Sequence, residues 1–321
     1  VDGIGPKTAD QIKSCRPQKT ADSEKKKAEK KKARIITLLD EDYPANLKTL
    51  FASPPVLYVA GEITEEDALA VGIVGTRRAT PYGRIITENL AATLAARGLT
   101  VVSGLARGVD TFAHRAAIEA GGRTIAVLGC GIDFCYPPEN RRLFEKIPEH
   151  GAVVSQFSFG TEPEKRNFPV RNRIITGLSI GLVVTEAGEK SGALITAYAS
   201  LEEGRELFAL PGRADSPQSA GTNRLIQKGA KLVTCADDVI EEFPPGVREL
   251  LEKSDTGKDE KRLLSGEEEK LLSLLRDSEQ HVDYLIEKSG FASGVVLGIL
   301  LELEIKGAVR QLPGKLFAKV I

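Results

Sequence analysis

From residue 68 onward, short runs rich in β-branched residues recur. Each ends at or near a glycine and is followed by a helix-like stretch. The runs fall at 70–74, 100–103, 124–128, 152–155, 181–185, 206–210 and 231–234. Helical patterns follow near 81–97, 109–120, 138–147, 192–203 and 221–228. Strands that alternate with helices imply a parallel sheet covered on both faces. The expected fold is therefore α/β, a Rossmann-like, doubly wound, mostly parallel sheet. Ligands of such sheets bind beyond the carboxyl ends of the strands, which is where these glycine-rich turns lie.

The flanks differ in character. Residues 1–34 open with VDGIGPKTADQI, a turn and helix resembling the second half of a helix-hairpin-helix. They continue into residues 19–34, with eight Lys/Arg against three acids. That basic stretch reads either as a DNA arm or as a solvated helix. The α/β domain is expected over 35–245 and a linker over 246–265. Residues 266–321 give three helical patterns and a hairpin, the plan of a winged helix. From Lys261 to the end, nine Lys/Arg balance nine Asp/Glu, and the helix near 292–306 is apolar with two glutamates. A DNA-reading helix usually offers Arg, Lys, Asn or Gln, so protein contact or packing is the expected role of this one.

Charge and composition exclude several classes. The net charge is −1, so any polyanion site must be a local concentration of cations. No apolar run approaches the roughly 20 residues of a membrane span, and no signal peptide is visible. No membrane association is expected. Cys15, Cys130, Cys135 and Cys235 form no CxxC pair, which fits reduced thiols in a cytoplasm.

The candidate binding residues cluster in a few turns. The first strand of the alternating series runs into GTRRATPYG, where Gly75 and Thr76 lead to Arg77 and Arg78. Backbone N–H groups at the start of the next helix favour an anion there. The second strand runs into SGLARGVD, bracketed by Gly104 and Gly108. Residues 161–173 gather Lys165, Arg166, Arg171 and Arg173 around Phe168. Cations neutralise phosphates and an interleaved ring can stack on an unpaired base, so the combination favours single strands. The alternative is a solvated basic loop with Phe168 in the core. Asp110 and His114 stand at i, i+4. They read as a satisfied structural hydrogen bond near the helix N-terminus rather than as an acid–base or metal pair. Glu186 is either a catalytic carboxylate beside the Ser191-Gly192 turn or, as preferred, a charge partner orienting Arg77 or Arg173. No cofactor is expected, because neither GxGxxG nor GxxxxGK[ST] occurs.

Seven ordered blocks carry a resemblance: IVGTRRATPYG, VVSGLARGVDTFAH, GGRTIAVLGCGIDFCYPPEN, FPVRNRIITGLS, EAGEKSGALITA, GRELFALPG and GTNRLIQKGA. Together they closely resemble the DNA-processing protein A family (DprA, also called Smf), densely over residues 35–243. The resemblance implies a non-catalytic homodimer that binds single-stranded DNA and helps load the RecA recombinase during natural transformation. It implies a phosphate pocket using Arg77 and the FPVRNR block, with Phe168 as the stacking ring, Arg171, Asn172 and Arg173 beside it, and Lys165 on DNA. Gly104 and Gly108 match the family's SGxAxGxD block. One departure is Gln156, where Ser-Glu is usual after the strand. The competing enzyme reading is a nucleotide phosphoribohydrolase. Its PGGxGTxxE turn is absent, since the chain has PGRADS at 211–216 and SGALITA at 191–197. A sequence-specific regulator acting through the winged helix is a third reading, disfavoured by that unit's neutral charge balance.

Overall fold

The computed structural model describes residues 5, 10, 17–255, 266–275, 279–305, 308–312 and 314–319. The hairpin-like reading of residues 1–16 lies almost entirely outside the described residues. The chain divides into two units, at Thr256 and Gly257.

The first unit begins with α1 (Pro17–Lys30) and then forms a nine-stranded sheet. Its strands are β1 (Ala33–Thr37), β2 (Val56–Gly61), β3 (Ala70–Val74), β4 (Thr100–Ser103) and β5 (Thr124–Val127), then β6 (Gly151–Ser155), β7 (Gly181–Val184), β8 (Glu206–Ala209) and β9 (Lys231–Leu232). The spatial order is β1-β2-β6-β5-β4-β3-β7-β8-β9. All neighbours from β6 to β9 run parallel, while β1–β2 and β2–β6 are antiparallel. The chain builds outward from β3 to β6, crosses back, and restarts at β7 on the other side of β3. That reversal opens a crevice at the carboxyl ends of β3 and β7.

The helices are α2 (Ala45–Lys48), α3 (Pro81–Ala96), α4 (Val109–Glu119), α5 (Arg141–Lys146) and α6 (Asn167–Leu178), then α7 (Ala193–Glu202), α8 (Ala220–Gln227), α9 (Ala236–Ile240) and α10 (Pro245–Asp255). Strands buried on both faces need apolar side chains on both, and β3 is buried at every position. On one face Val74, Val102, Ile125 and Val184 pack with Ile174, Ile175 and Leu178 of α6 and Ala197 of α7. On the other, Val71, Ile73, Val101 and Phe208 pack with Leu90 and Leu94 of α3 and Ala113 and Ala117 of α4. The stretch expected to be a linker from residue 246 instead starts as α10. Its Leu251 is 3 % exposed and belongs to the second of these cores.

The second unit comprises α11 (Gly266–Leu274), β10 (Gln280–His281), α12 (Val282–Ser289), α13 (Ser293–Ile305), β11 (Val309–Leu312) and β12 (Leu316–Lys319). Its strands form an antiparallel sheet in the order β10-β12-β11. Leu271, Leu285, Val296, Leu300, Leu303 and Phe317 make its separate core. This is the winged-helix plan read from the sequence. Among the described residues no single helix is long and apolar enough to cross a membrane.

Candidate nucleic-acid interface

The β3–α3 turn is held from two sides. Thr76 N donates to Glu186 O at 2.7 Å, and Val109 N donates to Thr76 O at 3.2 Å. Gly108 makes this close approach possible. Its φ is +74°, and a Cβ there would lie 2.4 Å from Thr76 O. Thr80 caps α3, accepting from Gly83 N at 3.0 Å. Glu186, 2 % exposed, supports the cap: Thr80 N donates to its Oε2 at 2.8 Å and Thr80 Oγ1 to its Oε1 at 2.7 Å. The expectation that Glu186 orients Arg77 or Arg173 is therefore corrected. Its oxygens serve the start of α3, where the helix dipole also favours a carboxylate.

Beyond these strand ends lies a crevice of about 920 Å³. Five cations line it, Arg77, Arg78, Lys165, Arg171 and Lys190, against one carboxylate, Asp110. Arg77, Arg78, Lys165 and Lys190 are exposed. Two rings stand among them. Phe168 is half-buried, with the Arg77 guanidinium 5.4 Å and that of Arg171 5.8 Å from its ring centre. Tyr136 lies 5.8 Å from Phe168 and is 39 % exposed. Gly129 leaves room for Phe168, since a Cβ there would lie 2.8 Å from the ring.

Arg171 differs from the other cations. It is 4 % exposed, and its Nη1 donates to Gly104 O at 2.6 Å and also to Val127 O. Its Nε donates to Asn172 Oδ1 at 3.1 Å. The guanidinium thereby ties α6 to the carboxyl ends of β4 and β5. A Cβ at Gly104 would lie 2.5 Å from the Arg171 guanidinium. Burial brings the Arg171 pKa down to about 10, opposed by the attraction of Asp110. Asp110, itself buried, accepts from Gly104 N at 3.1 Å and Ala106 N at 3.3 Å. Burial raises its carboxyl above the usual range, opposed by Arg171, those two N–H groups and Arg77.

His114 is fully buried. Its Nε2 accepts from Leu105 N at 3.3 Å. Thr124 Oγ1 gives its proton to Val101 O, leaving an acceptor for His114 Nδ1–H at 2.7 Å. The ring is thus a neutral structural group, its pKa pushed down by burial to about 3 from an ordinary 6.5. Between those values the unfolded chain binds a proton that the folded chain refuses. This contribution to stability is whole above pH 6.5 and is lost as pH falls toward 3, by about 1.4 kcal/mol per unit. Asp110, with its raised folded pKa, acts with opposite sign, so comparison with a variant isolates the histidine. Denaturation of the parent and of His114→Gln between about pH 7 and pH 5 is expected to show a steeper acid-side loss in the parent.

Nine of the candidate residues line the crevice. Gly75, Thr76 and Arg77 come from the β3 turn; Lys165, Phe168, Arg171 and Asn172 from α6 and the loop before it; and Ser191 and Gly192 from the start of α7. Gly104 and Gly108 do not line it. They sit beneath it, where their missing side chains let Arg171 and Thr76 approach. Arg173 also lies elsewhere: its side chain is 45 % exposed and its Nη2 is 3.5 Å from Glu202 of α7. Two residues along a helix is a turn of about 200°, so with Arg171 facing the strand ends Arg173 faces away. Tyr136 and Lys190 were not singled out from the sequence. The signals were there: a ring before Pro137-Pro138, and a lysine immediately before Ser191-Gly192.

Comparison with known proteins places the chain in one family. Residues 34–244 match the family model described as DNA recombination-mediator protein A, and residues 258–315 match the DprA winged helix domain. Protein Smf of Synechocystis is 36% identical over 98% of this chain and 87% of its own length. DNA processing protein DprA of Bacillus subtilis is 43% identical over 65% of this chain and 71% of its own. The X-ray structure of DNA processing protein A from Streptococcus pneumoniae superposes with a TM-score of 0.63 at 42% identity, covering 66% of this chain and 75% of that one. A structure of DNA processing protein A from Helicobacter pylori, described for its single-stranded DNA binding mode, gives 0.59 at 33% identity. It covers 68% of this chain and 97% of that one.

Proposed function

Because the chain belongs to the DNA recombination-mediator protein A family, we propose that its crevice binds single-stranded DNA without chemistry on it. The observation that carries this reading is the lining itself, five cations to one carboxylate with two aromatic rings among them. Arg77, Arg78, Lys165 and Lys190, all exposed at the rim, take phosphates. Phe168 takes a base. A base entering the crevice replaces the Arg77 guanidinium over the ring, and Arg77 swings to the adjoining phosphate. Duplex bases are already stacked and cannot use the ring, so single strands are preferred. Arg171 acts from beneath as a positioning residue, holding α6 against the strand ends. Arg173 stands outside this set.

The wider role follows the family resemblance: a cytoplasmic homodimer that shields incoming strands and helps load RecA during natural transformation. The reading is non-catalytic, and incubation with nucleoside monophosphates is expected to release no free base. The direct test is a binding titration with matched single- and double-stranded oligonucleotides of unrelated sequences. Single strands should bind with equal affinity and duplexes weakly. Phe168→Ala should cost about 1–3 kcal/mol of single-strand affinity per stacked base with the salt slope unchanged. Tighter binding of duplex than of single strands would refute the assignment.

A further inference from the structure

Helix α1 is fastened to the first unit by one face. On that face Ala28 is 3 % exposed and belongs to a core with Tyr58 and Phe159. Glu24 accepts from Tyr58 OH at 2.9 Å and from Phe159 N at 3.0 Å, and Lys27 also reaches it at 2.8 Å. These bonds hold the Glu24 carboxylate below its usual range, against the opposing effect of burial. The acid is therefore committed inward and screens little of the outer surface. Lys19, Lys26 and Lys30 stand seven and four residues apart, which places them on one helical face, opposite Glu24 and Ala28. All three are exposed. At about 1.5 Å per residue they span roughly 16 Å along the axis.

The place of this ridge matters as much as its charge. Phe159, which anchors Glu24, sits on the loop between β6 and α6, and the same loop carries Lys165 to the crevice rim. One loop thus joins the anchor of α1 to the rim of the crevice. We propose that Lys19, Lys26 and Lys30 form a second, sequence-independent contact for single-stranded DNA, a phosphate ridge that takes up the strand beyond the crevice. The inference rests on the crevice reading given above. Lysines on flexible stems bind phosphate as point charges, and the helix PQKTADSEKKKAEK has no aromatic side chain to stack on a base. It also has no large apolar side chain to enter a bilayer, which argues against a lipid surface as the occupant.

The test uses the full chain, its Lys19→Gln/Lys26→Gln/Lys30→Gln variant and the corresponding triple Arg variant. Fluorescence anisotropy is measured across a salt series with single-stranded oligonucleotides of about 6 and about 30 nucleotides, the shorter within the range of a single binding groove. The Gln variant should bind the longer strand about tenfold more weakly at low salt, with the salt slope reduced by about 2. The shorter strand should be unaffected, and the Arg variant should restore the longer one. If the parent binds both strands and the Gln variant matches it on both, the ridge is refuted while the crevice stands. Equal weakening on both lengths also refutes it. If the parent binds neither strand, the crevice reading fails and the ridge falls with it.

Discussion

Arg171→Met is expected to destabilise the first unit by about 3–5 kcal/mol, the usual cost of removing one partner of a buried charge pair. The loss has two sources. The carbonyls of Gly104 and Val127 lose their shared donor in a site 4 % exposed, and unsatisfied buried acceptors are costly. Asp110 also loses the largest attraction opposing its burial, so its carboxyl should take up a proton more readily. Adding Asp110→Asn should therefore recover part of the loss, because the remaining group no longer needs a counter-charge. Urea denaturation of the parent, the single variant and the double variant measures this. Additive losses in the double variant would show that the two groups do not act as a pair.

Arg77→Ala is expected to leave stability nearly unchanged, since the side chain is exposed, and to weaken binding of every single-stranded sequence. One lost phosphate contact flattens the logarithmic salt dependence by about 0.7. The affinity loss at low salt should be about tenfold, typical of a charged hydrogen bond worth about 1.5–3 kcal/mol. Arg173→Ala serves as the comparison. Its side chain faces Glu202 outside the crevice, so its slope should match the parent's. A flattened slope for Arg173→Ala together with an unchanged one for Arg77→Ala would reverse the two roles.

The parallel sheet was legible because each β-branched run is followed by a glycine turn and a helix, a period that only a few topologies satisfy. Strands β1 and β2 escaped that reading. They precede the alternation, pair antiparallel, and are joined through no full-length helix. The helix that carries the site escaped as well. Asn167-Phe168-Pro169 reads locally as a turn, yet a proline in the first helical turn lacks only an N–H that would have no partner there. Once 167–178 is helical, Arg171 and Arg173 must part company, which spacing in a presumed loop could not reveal. Glu186 was recognisable as a carboxylate beside the Ser191-Gly192 turn. Its partner was not, because Thr80 lies 106 residues away and nothing in the local sequence pairs them. The glycines at 104 and 108 were visible as turn residues, but their service to Arg171 and Thr76 depends on tertiary approach.

Where DNA lies can be read by photocrosslinking a bromodeoxyuridine-substituted single strand to the full chain and mapping the adducts by mass spectrometry. Adducts at Phe168 or Tyr136, abolished by excess unlabelled single strand, are the expected result. Adducts confined to residues 266–321, with none among the crevice residues, would contradict the placement of the strand.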